Sequence, residues 1–291
     1  MKQNYVILTD SSCDLPAELA RQLEIAVLPL TLTLGGKEYA NYLDGREIGF
    51  SQFYHRIRQG ETATTSAANV EGYCSMMEPF LREGQDILLL VFSSGLSSTY
   101  QAAAMAVEEL SAQYPERKLA AVDTRCASMG QGLLVYLAAK KRAEGKTMEE
   151  VRAWAEEEKF HLCHWFTVDD LMYLKRGGRL NAATALVGTA LGIKPVLHID
   201  DDGHLINVGK ARGRRGALTA LVDRMAELAV DPEKNPVFIS HGDCLDDAKM
   251  VEKLVKQRLG VKEVVISYVG PVIGAHTGPG VVALFFLGRE R

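Results

Sequence analysis

No excess of either charge marks this chain. Against 33 Lys and Arg stand 37 Asp and Glu, a formal net charge of -4 over 291 residues. The basic balance of a nucleic-acid binder is missing, so no nucleic-acid partner is expected. Cysteine is sparse: five residues, an odd number, scattered along the chain. That pattern supports no disulfide framework and suits a reducing cytosol. No long apolar run is present either. The most apolar stretch, VGPVIGAHTGPGVVALFFLG from Val269 to Gly288, is broken by five glycines and two prolines. A membrane-spanning helix needs roughly 20 apolar residues without such breaks. The start, MKQNYVILTDSS, enters a strand at once, with no leader-like apolar region. A cytoplasmic protein is therefore expected. No GxxxxGK[ST], no GxGxxG after the first strand and no GxSxG occurs. These gaps argue against a P-loop, a dinucleotide site and an α/β-hydrolase elbow.

What is there alternates. YVILTD reads as a buried strand, and IAVLPLTLTLGGKEY as a strand ending in a Gly-Gly turn. DILLLVFS and KLAAVDT follow as strands. EIGFSQFYHRIRQG, VEGYCSMMEPFLREG and STYQAAAMAVEELSAQY between them, and SMGQGLLVYLAAKKRAEG after them, have helical periodicity. Strands alternating with amphipathic helices predict a doubly wound parallel sheet. After TMEEVRAWAEEEKF the pattern changes. HLCHWFTVDDL reads as a strand, AATALVGTALG as a short helix, and KPVLHIDDDGHLINVGKARG as a hairpin around DDG. ALTALVDRMAELAV and DDAKMVEKLVKQRLG are helices around the strand NPVFISHGD. EVVISYV and GVVALFFLG close the chain as a predicted hairpin whose glycine-rich loop carries His276. The expectation is an α/β domain over 1–160 and an α+β domain with hairpins over 161–291.

Three polar loops at strand ends or before helices offer hydroxyls and free N–H groups: TDSSCDLP, TTSAAN and SSGLSSTYQ. Each suits simple helix capping. Together, in one parallel sheet, they point to a shared anion site with Thr65, Ser66, Ser97 and Ser98 as donors. His276 sits among glycines that let backbone approach a ligand. Its imidazole suits either a hydrogen bond to a carboxylate or phosphate, or a general base. Basic residues cluster in YLKRGGRLN (Lys175, Arg176, Arg179) and GKARGRRGAL (Lys210, Arg212, Arg214, Arg215). They read as a solvated surface or as a docking patch for an acidic partner or phosphate. Metal ligation is not expected. HLCHW puts His161 and Cys163 on one strand face and His164 on the other, and neither it nor SHGDC (His241, Asp243, Cys244) has a paired CxxC.

The ordered set ILTDSSCDLP, TTSAAN, SSGLSSTYQAA, VDTRCASMGQGLLV, LMYLKRGGRLN, GIKPVLHIDDDGHL, GKARGRRGAL and GPVIGAHTGPGVVALFF resembles the DegV family of bacterial fatty-acid-binding proteins over essentially the whole chain. The resemblance implies two domains holding one long-chain fatty acid, with no cofactor and no catalysis of its own. It implies a partner, an ATP-dependent kinase subunit that phosphorylates the acyl carboxylate, and transient contact with membrane. Carried over by motif, Thr65, Ser97 and His276 hold the carboxylate, and Arg179 lies near the head group or the kinase. Two departures stand out. Relatives usually read TSQPS where this chain has TSAAN, and Gly where it has Ser98. The alternatives are an acyl hydrolase using Ser97 and His276, or a regulator whose ligand alters partner binding through the basic patch.

Overall fold

The computed structural model describes residues 4–180 and 192–291. The helix expected over AATALVGTALG lies, all but its final Gly192, outside the described residues.

Four strands form the parallel sheet: β1 (Tyr5–Asp10), β2 (Ile25–Leu28), β6 (Asp86–Val91) and β7 (Leu119–Asp123), in the order β2-β1-β6-β7. Their side chains alternate between two cores. Ile7, Leu88, Leu90 and Val122 meet α5 (Met129–Ala143) and α6 (Met148–Glu158). Val6, Leu8, Ile87 and Leu89 meet α3 (Val70–Arg82) and α4 (Thr99–Gln113). Covering both faces is what makes these strands continuous apolar runs in sequence.

IAVLPLTLTLGGKEY, expected as one strand, is three. Pro29 has no N–H for the ladder, and the chain leaves the parallel sheet there. β3 (Leu30–Leu34) then pairs with β4 (Lys37–Asn41) across the Gly-Gly turn, and with β5 (Ala63–Ser66) on its other side. The stretch TTSAAN, expected as a loop, thus begins inside β5. α1 (Ala17–Gln22) and α2 (Phe50–Arg58) complete this part.

The third sheet has six strands: β8 (Leu162–Thr167), β9 (Ile193–Ile199), β10 (Leu205–Arg212), β11 (Val237–His241), β12 (Val264–Tyr268) and β13 (Val282–Leu287). Their order is β10-β9-β8-β13-β11-β12. The β9–β10 hairpin forms as expected. Alternation along β8 also holds, with Cys163 and Trp165 in one core and Leu162 and Phe166 in the other. α8 (Gly213–Leu228) and α9 (Leu245–Leu259) supply apolar side chains to the Cys163 core.

The closing hairpin does not form. β12 is an edge strand paired in parallel with β11, while β13 lies on the far side of β11. The connection is a short helix, α10 (Pro271–Thr277), with Gly270 at its N-cap, Pro271 at its first position and Gly278 (φ +73) beyond its end. Pro at the start and Gly past the end are helix punctuation.

Helix α5 packs against β1 and β6 of the parallel sheet and against β8, β11 and β13 of the third. Its fit needs Gly132, where a Cβ would stand 2.6 Å from the Cys13 carbonyl oxygen and 3.1 Å from Leu15. In an open helix, Gly→Ala adds about 1 kcal/mol of stability. Here overpacking of roughly 1–3 kcal/mol opposes it. Gly132→Ala is therefore expected to lower Tm in thermal denaturation. A raised Tm would remove this packing from the account of the fold.

Candidate functional site

In an open parallel sheet, ligands sit beyond the carboxyl ends of the strands where the strand order reverses. Here β1 neighbours β2 on one side and β6 on the other. The segments that follow β6 and β7 line a cavity at this end through Phe92, Leu96, Ser97, Ala127 and Ser128. The inner face of the third sheet lines it from another side. There Ser240 pairs with Ala283, and Ala283 with Phe166. Two small side chains in one row leave room beside Phe166 and Phe285. The lining of the cavity is predominantly apolar.

One end is polar. Thr65 comes from β5, His276 from α10, and Arg179 from the segment after α7 (Met172–Arg176). Thr65 Oγ1 and His276 Nε2 are 2.8 Å apart. Arg179 donates from Nε to the Leu96 carbonyl (3.1 Å) and from Nη1 to the Gly177 carbonyl. Among the described residues no carboxylate forms an ion pair with it. Burial holds the Arg179 guanidinium below its ordinary value. Burial, with Arg179 beside it, brings the His276 imidazole down to about 4, so it is neutral at pH 7. The same three residues also line a second cleft, more polar than the cavity, with Glu61, Thr62, Thr64, Tyr173 and Arg176. They stand as a polar partition between the apolar cavity and this cleft.

The glycines around His276 serve packing. A Cβ at Gly274 would lie 2.7 Å from the Tyr54 hydroxyl, and one at Gly278 would lie 2.5 Å from the Tyr173 ring. Tyr54 in turn donates to the Val269 carbonyl at 2.7 Å. These contacts fix α10, and with it His276.

Thr65, Ser66, Ser97, His276 and Arg179 all border the cavity. Ser98 is exposed and does not line it. Arg176 is exposed, stacks 4.6 Å over the Tyr173 ring, and borders only the cleft. Ser97 Oγ lies 2.9 Å from Thr99 Oγ1 and accepts the Thr99 N–H. The hydroxyl is thus engaged at the start of α4, while His276 is engaged with Thr65. His276 Nδ1 is buried without a hydrogen-bond partner. A Ser-His pair working as nucleophile and base needs the two joined and the imidazole oriented from behind. Neither condition is met.

The loop TDSSCDLP does not offer an anion site. It is filled by its own carboxylates. Asp10 accepts the N–H groups of Ser12 and Phe92 and the Gln131 side-chain amide. Asp14 accepts the Gly270 N–H (2.9 Å) and the Ser128 hydroxyl (2.6 Å). Burial pushes both carboxyls up, Asp14 to about 8. The donors around this loop are thus already taken by Asp10 and Asp14. Ser128 also lies 3.0 Å from Ser240, so Asp14 links the start of α10 to the cavity wall. This link was not legible beforehand, because it joins three segments more than 100 residues apart. Of the basic clusters, Arg214 is paired with Asp247 at 2.8 Å, while Lys175, Lys210, Arg212 and Arg215 are exposed. Among the described residues, no group of three His, Cys, Asp or Glu is placed to hold a metal ion.

Fold and site together define a class: an α/β chain with an apolar cavity that ends at neutral donors and a half-buried cation. A family model described as "Uncharacterised protein, DegV family" matches residues 4–289, and the chain belongs to that family. A DegV domain-containing protein of Clostridium perfringens is 42% identical over 289 residues, covering 99% of both chains. Two solved structures are similar in fold. A DegV lipid-binding protein from Thermotoga maritima has TM-score 0.88 and 30% identity, over 99% of this chain and 100% of that one. A DegV family protein from Thermus thermophilus, described for fatty-acid binding, has TM-score 0.87 and 30% identity, over 98% and 100%.

Proposed function

We propose that this protein binds one long-chain fatty acid and presents its carboxylate to a separate ATP-dependent kinase subunit, then carries the acyl phosphate. The acyl chain occupies the apolar cavity, and the carboxylate meets Arg179 and the Thr65–His276 pair. Ser66 and Ser97 flank that end. The observation that carries this reading is a half-buried guanidinium with no carboxylate partner among the described residues, placed where an apolar cavity ends. A buried carboxylate is very costly unless its charge is met. The acyl chain contributes the bulk of the binding, roughly 0.8 kcal/mol per methylene buried. Relatives described for lipid and fatty-acid binding support the same ligand class.

The cleft on the other side of the partition supports approach by a kinase. It reaches Thr65, His276 and Arg179 without passing through the cavity, and Arg176 borders it. In this reading the ligand lies between two domains, 1–160 and 161–291. All strands of the parallel sheet come from the first and all of the six-stranded sheet from the second. The transfer chemistry belongs to the partner, and the protein works in the cytoplasm with transient contact at the membrane. Among the described residues no helix is long and apolar enough to cross a bilayer.

The test is native mass spectrometry of protein purified from a bacterial host, followed by denaturation and identification of what is released. One fatty acid per chain is expected. A protein that arrives empty and takes up no added fatty acid would refute the reading.

A further inference from the structure

We infer that Gly177 is a positioning residue for the head-group site, there to let the His276 ring stand against its Cα. The inference rests on the fatty-acid reading above. Gly177 has φ -71 and ψ -9, a right-handed helical backbone open to any residue. Its backbone therefore does not call for glycine. Its surroundings do. A Cβ at this position would lie 2.3 Å from His276 Nδ1 and 3.3 Å from the ring atoms Cε1 and Cγ. On its far side the ring is 2.8 Å from Thr65 Oγ1. The imidazole thus sits between a glycine Cα and a threonine hydroxyl, and any side chain at 177 drives it out of that place. The Gly177 carbonyl also accepts from Arg179 Nη1. One residue sets both the imidazole and the cation.

The contact also bears on the proton. Nδ1 is buried and meets no hydrogen-bond partner. A buried N–H without an acceptor is costly, whereas a bare ring nitrogen facing Cα–H groups is tolerated. The favoured tautomer carries its proton on Nε2 and donates it to Thr65 Oγ1. The Thr65 hydroxyl proton is then left to point at the ligand carboxylate.

The adjacent glycine supplies the control. Gly178 has φ +70, where side chains are strained, yet a Cβ there would meet nothing within 4 Å. The two glycines should separate on ligand preference after Ala substitution. Gly177→Ala is expected to lower Tm, as overpacking does at Gly132, and also to cut the preference for palmitate over hexadecanol by about tenfold, the scale of one lost charge-assisted hydrogen bond. Gly178→Ala is expected to lower Tm and keep that preference. In a His276→Ala background, Gly177→Ala should change the preference no further, because the clashing ring is gone. Side-chain ¹⁵N resonances of His276 should move in Gly177→Ala and stay in Gly178→Ala. A Gly177→Ala protein with wild-type preference and unmoved His276 resonances overturns the inference. A wild-type protein that binds neither ligand, or binds both equally, overturns the head-group reading itself and the inference with it.

Discussion

Replacing Arg179 with Leu is expected to weaken fatty-acid binding by about 100-fold, the upper range for a hydrogen bond to a charged group. Leu keeps apolar bulk at the cavity's end, so the acyl contribution is largely retained. What goes is the cation. His276 is held neutral, and Thr65 is a neutral donor. Neither can offset a full negative charge taken out of water. The matching alcohol, which brings no charge, should bind the variant and the wild type alike. The two proteins should also differ in their response to pH. Wild-type affinity falls as acid protonates the ligand, because the charge that Arg179 meets is lost. In Arg179→Leu the neutral acid suits the site better than the anion, and this dependence reverses. Titration calorimetry with acid and alcohol at two pH values decides the matter. An Arg179→Leu protein within threefold of wild type for the acid would place the carboxylate elsewhere.

Asp14→Asn is expected to stabilise the protein at high pH. The Asp14 carboxyl rises from its ordinary 3.8 to about 8, chiefly through burial. Between those values the folded chain keeps a proton that the unfolded chain has given up. Stability then falls as pH rises through the window, by about 1.4 kcal/mol per unit at most, and levels off above the folded value. The total is on the order of a few kcal/mol. Asn carries no such charge. Its Oδ1 can still accept the Gly270 N–H, and its amide can donate to Ser128 Oγ, whose own proton turns to Ser240. The Tm difference between variant and wild type should be smallest near pH 4, already measurable at pH 5, and grow up to about pH 8. An opposite trend acts on both proteins. His164, His198 and His241 are held below their ordinary values by burial, so stability is lost as pH falls through that range. Comparing variant with wild type at each pH cancels it. An Asp14→Asn protein less stable than wild type at every pH would mean that the two donors hold Asp14 as an anion.

Periodicity made the parallel sheet legible, since strands covered on both faces are apolar throughout. It failed where the deciding force was not local. Pro29 sits inside an apolar run, and only the missing ladder donor separates β2 from β3. Thr64 to Ser66 have the composition of a loop, but Thr31, Leu32 and Thr33 pair with them in β5. His276 lines the cavity and was legible as a candidate from its glycines, yet for the wrong local reason. Those glycines admit Tyr54 and Tyr173 against a helix rather than forming an open loop. The helix signals, Pro271 at the start and Gly278 at the end, were present in the sequence. Arg179 was expected near a head group from the family resemblance, and it borders the cavity. Its lack of a carboxylate partner depends on tertiary placement and was not legible. Nor was the non-adjacency of β12 and β13, because no local signal says that β11 comes between them.

That arrangement constrains the order of assembly. β13 follows every other strand in the chain, yet it is a central strand, joining β8 on one side to β11 on the other. Until it emerges from the ribosome, β8–β10 and β11–β12 are two separate fragments, each with an open edge. Pairing across such sequence distances is slow, and exposed edges invite aggregation. The wall residues Ala283 and Phe285 travel on this same strand. A nascent chain arrested before Val282 should therefore neither hold a ligand nor resist proteolysis in the third sheet, however well its parallel sheet has folded.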